Sequence, residues 1–336
     1  MKHIQILDCT LRDGGYVNNW EFGKETISAV CQASRQTGVD IIELGFFRDE
    51  PYFEDRAIFS AAEQISRIVG QDPSGPQYAG MIEMANYYPP EYFPPCEGTE
   101  PGIIRCVMWK NALDEAYDYA EKLVKKGYRF CCQPTRVDQY NDDEFAALCR
   151  KFSKLNPYAV YIVDTFGLLQ KDDLLRYARI GHDNLPPDVI LGYHAHNNMG
   201  QAFGNACAFL EQDYGDRTLQ VDASIGGIGR GAGNLSLEAI LHYLNTHHGT
   251  NYDLTPIYDV WDKHLARVKK EHPWGPEMAY FITAAHACNP TYAIAFMEMG
   301  LSASEIHQAV QRIQGNDKFL FSKEKAIYYS RKTNGL

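Results

Sequence analysis

Tyr193-His194-Ala195-His196-Asn197-Asn198 closes an apolar run, and its two histidines are the side chains best suited to grip a metal ion. On an extended strand, residues two apart point to one side, close enough for two imidazoles to share one ion. The alternative is a pair of core or rim histidines bonded to backbone groups. Three other places put reactive side chains where an apolar run ends or breaks. Thr10-Leu11-Arg12-Asp13-Gly14-Gly15 follows the first run, either as a reactive arginine–carboxylate pair or as a solvated turn. Glu43 stands between Ile42 and Leu44, where a carboxylate is costly to bury without a cation, and Arg12 is its candidate partner. Gly226-Gly227-Ile228-Gly229-Arg230-Gly231-Ala232-Gly233-Asn234 brings an amide oxygen and many glycines beside the histidines. It could hold a phosphate on its backbone amides, but it has no Lys-Ser/Thr ending and no G-x-G-x-x-G trailed by a distant acid. Two histidines, a carboxylate and an amide would make a mixed nitrogen and oxygen shell with open positions. Such a shell suits a catalytic Mn2+, Mg2+, Co2+ or Zn2+ better than a closed structural zinc.

These residues need a frame that gathers strand ends. Short apolar runs recur at Ile4–Cys9, Ile41–Phe46, Tyr78–Met84, Ile103–Trp109, Arg129–Gln133, Val160–Asp164, Ile190–His196 and Leu219–Ser224. Amphipathic stretches follow most of them, at 24–38, 55–69, 111–127, 142–154, 171–182, 201–212 and 235–245. The third crossover, 86–102, carries too many prolines for a regular helix; its Tyr87, Tyr88, Tyr92 and Phe93 would fill the missing helix's space or form a lid or subunit contact. Eight βα repeats predict an α/β fold, a (β/α)8 TIM barrel over residues 1–249, with an open doubly wound sheet as the alternative. Residues 250–336 read as a helical extension packed on the barrel. In such a barrel, reactive side chains sit at the C-terminal ends of the strands, where the residues above fall.

Composition narrows the partners. The chain has 336 residues, 45% hydrophobic and 22% charged, ample for a packed core. A net charge of −11 argues against nucleic acid as a partner. No apolar run reaches the roughly 18 residues of a membrane span, and MKHIQILDCTLRDGG lacks a signal peptide's apolar stretch, so a cytoplasmic protein with no membrane partner is expected. Nine cysteines, with Cys131 and Cys132 adjacent and no C-x-x-C, predict reduced and mostly buried thiols. His242, His247 and His248 fall at a helix end and read as solvated.

Taken in order, Asp8-Cys9-Thr10-Leu11-Arg12-Asp13-Gly14, Glu43, Asp164-Thr165-Phe166-Gly167, His194-Ala195-His196-Asn197 and Gly231-Ala232-Gly233-Asn234 resemble the motif set of the DRE-TIM metallolyase superfamily, over about the first 245 residues. That superfamily, HMG-CoA lyase-like, includes 4-hydroxy-2-oxovalerate aldolase, 3-hydroxy-3-methylglutaryl-CoA lyase and the isopropylmalate and homocitrate synthases. Tyr280-Phe281-Ile282-Thr283-Ala284-Ala285-His286-Ala287 resembles the tyrosine-bearing helix of the aldolase branch.

The resemblance implies a divalent metal, Mn2+ or Mg2+ first and Co2+ or Zn2+ next, held by Asp13, His194 and His196 with Asn234 as a further ligand. It implies a carbon–carbon lyase, a class II aldolase that chelates a 2-oxo acid such as pyruvate and works on a 4-hydroxy-2-oxo acid. Arg12 would stabilise the enolate, Glu43 would hold Arg12, and Thr165 would orient the substrate carboxylate. The alternatives are a Claisen-type synthase joining an acyl-CoA to a 2-oxo acid, and a catalytically silent barrel serving as a binding module. The chain departs from the aldolase pattern at one point: two residues after Asp13-Gly14, where the aldolases carry a catalytic His, it has Tyr16. That leaves Tyr16, Tyr280 or a water as the base. A homo-oligomer and an aldehyde dehydrogenase partner stay open.

Overall fold

The computed structural model describes residues 3–70, 75–98 and 101–331. Strands β1 (Ile4–Asp8), β2 (Ile41–Phe47), β3 (Ile58–Phe59), β4 (Gln77–Glu83), β5 (Ile103–Met108), β6 (Arg129–Pro134), β7 (Ala159–Asp164), β8 (Ile190–Ala195) and β9 (Leu219–Ala223) form one parallel sheet. Its order runs β1-β9-β8-β7-β6-β5-β4-β2, and β1 also pairs with β2 through Leu7↔Ile41 and Asp8↔Ile42. This pairing closes an eight-stranded (β/α)8 barrel, with the two-residue β3 hung on the end of β2. The eight predicted runs are the eight barrel strands.

Alternation along each strand sorts side chains between two cores. Leu7, Ile41, Ala79, Ile103, Cys131, Ala159, Tyr161 and Ile190 make an apolar plug inside the barrel. The alternate positions, such as Ile6, Ile42, Leu191 and Tyr193, pack outward under the helices. Charged residues sit in register above the plug, toward the C-terminal rim, and this is the layer that matters for chemistry.

The crossover helices follow their expected stretches, with one correction. The stretch 55–69 is helical only over Ala62–Val69, because its first part is drawn into β3 beside β2. Gly45 permits this: a Cβ there would sit 2.0 Å from the Ala57 carbonyl oxygen. The proline-rich crossover forms only a 3-10 turn, Pro90–Tyr92, and its residues 99–100 lie outside the described ones. Tyr88 and Phe93 are buried against Phe47, at ring separations of 5.6 and 4.8 Å, while Tyr87 and Tyr92 are exposed. This pair fills the space of the missing helix.

After residue 250 the chain is helical. Thr255–Val260 and Ala266–Glu271 continue each other through a π turn at Trp261–Leu265. The helices Met278–Ala285, Thr291–Glu298, Ala303–Arg312 and Lys323–Arg331 share a small core of their own around Tyr292, Phe296, Ile306 and Val310. One clamp joins this bundle to the barrel: the Arg136 guanidinium lies 4.2 Å from the ring centres of both Phe166, after β7, and Phe319. Residues 332–336 lie outside the described ones. All nine cysteines are free thiols and seven are buried. Among the described residues no helix is long and apolar enough to cross a membrane.

Candidate metal centre and active site

Asp13 follows β1, while His194 lies within β8 and His196 just beyond it. Barrel closure brings a ligand atom of each within 4.8 Å of the others. All three are buried. The Nε2 atoms of His194 and His196 each lie 4.0 Å from an oxygen of Asp13. His194 Nδ1 is 3.0 Å from Asp222 Oδ2, the contact by which a carboxylate accepts from a ligating imidazole, and it turns Nε2 toward Asp13. Burial pushes the His196 pKa down to about 3 against the pull of Asp13, so His196 is neutral and able to ligate. Burial would raise Asp13, but Arg12 and the two histidines outweigh it and hold the carboxylate well below its usual range.

Asn234 completes the cluster. Its Nδ2 donates to Asp13 Oδ2 at 2.7 Å and to the Ile228 carbonyl at 2.9 Å, while its buried Oδ1 has no hydrogen-bond partner. An orphaned amide oxygen beside two imidazoles and a carboxylate is a donor set suited to a divalent ion. The glycine-rich loop exists to place it. Asn197 N donates to Gly233 O at 2.8 Å and Asn234 N to Gly227 O at 2.9 Å, pinning the loop to the end of β8. Gly233 has φ +83°, and a Cβ there would lie 2.1 Å from Gly227 O, so no other residue fits. The loop is a cradle for Asn234, and the phosphate alternative loses its motive.

Arg12 is fixed on two sides. Its Nε donates to Glu43 Oε2 at 2.7 Å, and its Nη1 donates to Asp13 Oδ1. Trp20 Nε1 donates to the Arg12 carbonyl at 2.7 Å, holding the turn that carries it. The expected Glu43–Arg12 pair is present, but Glu43 serves a second cation as well. Arg105 on β5, fully buried, donates Nη1 to the same Glu43 oxygen at 2.6 Å and Nη2 to Asp222. In the amide orientation that satisfies both groups, Gln133 accepts from Arg105 Nε at 3.2 Å and Nη2 at 3.0 Å. A continuous chain of contacts thus runs Asp13, Arg12, Glu43, Arg105, Asp222, His194, and returns to Asp13. Arg105 and Asp222 were not singled out from the sequence, although each interrupts an apolar run as Glu43 does.

Above the cluster opens a cavity of about 170 Å³, lined by Arg12, Asp13, Tyr16, Thr165, His194, His196 and Arg230 among others. Thr165 Oγ1 accepts from Arg136 N at 2.8 Å, which leaves its own proton for a ligand oxygen. Tyr16 packs edge-on against Trp20, at 4.8 Å, and burial drives its phenol pKa up. Tyr280 does not line this cavity: it is buried with Ala279 and Ala232 in the core of the C-terminal helices, beside Gly231.

Comparison with known proteins agrees with this geometry. Residues 107–263 match the HMGL-like family. The chain is 24% identical over 265 residues to an oxaloacetate decarboxylase of Mycobacterium tuberculosis, covering 76% of this chain and 74% of that one. It is 28% identical over 284 residues to a 4-hydroxy-2-oxovalerate aldolase of Carboxydothermus hydrogenoformans, covering 79% and 78%. A solved N-terminal domain of a Bacteroides vulgatus protein shares the fold, with a TM-score of 0.74 and 24% identity over 87% of this chain and 96% of that one. A closed parallel barrel, a buried carboxylate and two histidines at its rim, and the match over 107–263 together show that the chain carries an HMGL-like (DRE-TIM) domain.

Proposed function

We propose that this chain is a metal-dependent class II aldolase that makes or breaks a carbon–carbon bond of a 4-hydroxy-2-oxo acid through a pyruvate-type enolate. The observation that carries the reading is Arg12, held by Glu43 and Asp13 at the floor of a cavity beside the Asp13, His194 and His196 cluster. A divalent ion on Asp13, His194, His196 and Asn234 would polarise the 2-oxo group as a Lewis acid.

The chain's own residues do the rest. Thr165 donates its hydroxyl proton to the substrate carboxylate. When the C3–C4 bond breaks, the 4-hydroxyl gives its proton to water, the aldehyde leaves, and the bonding pair moves toward the 2-oxo oxygen. Arg12 lies where that charge collects and needs no reorganisation to meet it. C3 then takes a proton to give pyruvate. Glu43 and Arg105 hold Arg12 in register and take no part in bond making. The cavity suits a compact substrate: at about 170 Å³ it lies below the roughly 300–1,000 Å³ of sites that enclose larger ligands, which weighs against an acyl-CoA.

A second reading is decarboxylation of oxaloacetate, which yields the same enolate. It is favoured by the state of Tyr16, whose phenol is held protonated by burial where an aldolase needs a base for the 4-hydroxyl. Loss of CO2 needs no such base.

Mn2+, pyruvate and the protein in D2O test the shared core of both readings. Loss of the methyl-proton NMR signal above that of Mn2+ alone is expected, and its absence would overturn both. Cleavage of 4-hydroxy-2-oxopentanoate, set against decarboxylation of oxaloacetate, then separates them.

A further inference from the structure

The cavity holds two guanidiniums in opposite situations. Arg12 at its floor is compensated by Glu43 and Asp13. Arg230, on the loop after β9, is half-buried, and among the described residues no carboxylate lies within ion-pairing distance of it. It faces an aromatic ring instead: its guanidinium carbon is 5.1 Å from the Tyr16 ring centre. The other acidic side chain lining the cavity besides Asp13 is Glu83, which faces Arg48 at 3.9 Å and accepts from Asn86 Nδ2 at 2.8 Å. Arg230 is therefore a half-buried charge with a planar fork of donors, lining a ligand cavity and answered by no acid among the described residues.

The backbone around Arg230 has its own constraint, since Gly233 N donates to the Arg230 carbonyl at 3.3 Å whatever side chain residue 230 carries. The ring it covers, Tyr16, sits on the loop after β1, next to Asp13. All of these residues line one cavity, so an occupant whose 2-oxo acid end meets Arg12, Thr165 and the histidines leaves Tyr16 and Arg230 for the rest of its chain.

We propose that Arg230, flanked by Tyr16, is a second anion-binding point that selects substrates carrying a carboxylate on the carbon chain beyond the 2-oxo acid group. The proposal rests on the 2-oxo acid reading above and narrows its substrate to dianions. Tyr16 serves as a flat wall that fixes the guanidinium plane, with no proton to move.

Two unreactive ligands of equal chain length test it: 2-oxoglutarate ends in a carboxylate and 2-oxopentanoate in a methyl group. Binding of each to the Mn2+-loaded protein is measured by calorimetry, alongside pyruvate methyl exchange. The parent should bind 2-oxoglutarate about tenfold or more tighter, the effect of one charge-assisted hydrogen-bonded contact. Arg230→Gln should erase the difference while leaving 2-oxopentanoate affinity and pyruvate exchange within about twofold, and Arg230→Lys should restore part of it. A parent without preference, or a preference that survives Arg230→Gln, overturns the proposal while exchange still supports the 2-oxo acid reading. If neither ligand binds and exchange is absent, both fall together.

Discussion

His194 Nδ1 lies 3.0 Å from Asp222 Oδ2, and this single contact decides which imidazole nitrogen faces Asp13. Asp222 touches no ligand position itself. Replacing it with Asn removes the charge that favours the Nδ1–H tautomer and should weaken Mn2+ binding about 10- to 100-fold. Titration calorimetry reads this directly, and parent-like affinity would show that the contact is only structural.

Arg105 is the cation that Glu43 and Asp222 share inside the barrel. Arg105→Met leaves the buried Asp222 carboxylate without its guanidinium, and removing one member of such a buried set costs about 3–5 kcal/mol. Urea unfolding of the metal-free protein should show that loss. A change below about 1 kcal/mol would mean that solvent reaches the network.

Arg12→Lys should fold and bind Mn2+ while losing about 100- to 1,000-fold in pyruvate methyl exchange, because an ammonium cannot span Glu43, Asp13 and the developing charge. Exchange near the parent rate would remove Arg12 from the chemistry.

Tyr16→Phe should leave both metal affinity and pyruvate exchange within about twofold. Burial raises the phenol's pKa from 10.0, so it stays protonated at alkaline pH and should add no limb to the rate profile between pH 7 and 9.5. A limb present in the parent and absent in Tyr16→Phe would restore it to the proton path.

Two buried groups bend stability against pH in opposite directions. His196 falls from 6.5 to about 3, so the folded state binds fewer protons and loses stability as pH falls through that window. Asp164, desolvated despite the amides of Leu168 and Leu169, rises from 3.8 to about 7, so the folded state binds more protons and gains stability on acidification. Each contributes a slope near 1.4 kcal/mol per pH unit between about pH 4 and 6, and the two oppose each other. Relative to the metal-free parent, His196→Gln should gain stability as pH drops from 6 to 4, and Asp164→Asn should lose it. Parallel unfolding profiles for parent and variants would refute the assignment.

The barrel was legible because nearly every strand carries apolar residues on both faces, and His194 and His196 were legible because two-residue spacing survives any detail of packing. Glu43 was conspicuous for the same reason that its partner Arg105 should have been: a charge inside an apolar strand. Arg105 went unremarked because its partners come from β2 and β9, so its meaning exists only once β1 has joined β2 and closed the sheet. Arg230 was hidden differently, since an arginine among glycines reads as a solvated loop until Tyr16, more than two hundred residues away, is seen beneath it. Tyr280 shows the converse limit, because its place inside the C-terminal helix core depends on packing that no local pattern encodes.

The ring of contacts from Asp13 through Arg12, Glu43, Arg105 and Asp222 contains two guanidiniums and three carboxylates. Taken by itself, that ring carries one uncompensated negative charge in the metal-free protein, in a place where water cannot dilute it. At this ring, away from Arg230, the 2-oxo acid end of an anion arriving first meets repulsion, whereas a divalent cation meets attraction and reverses the sign. The carboxylate of the 2-oxo acid group then brings the ring and its ion to neutrality, while Arg230 answers the far carboxylate. The arithmetic of the ring therefore dictates an order of arrival, ion before anion and, on the way out, anion before ion.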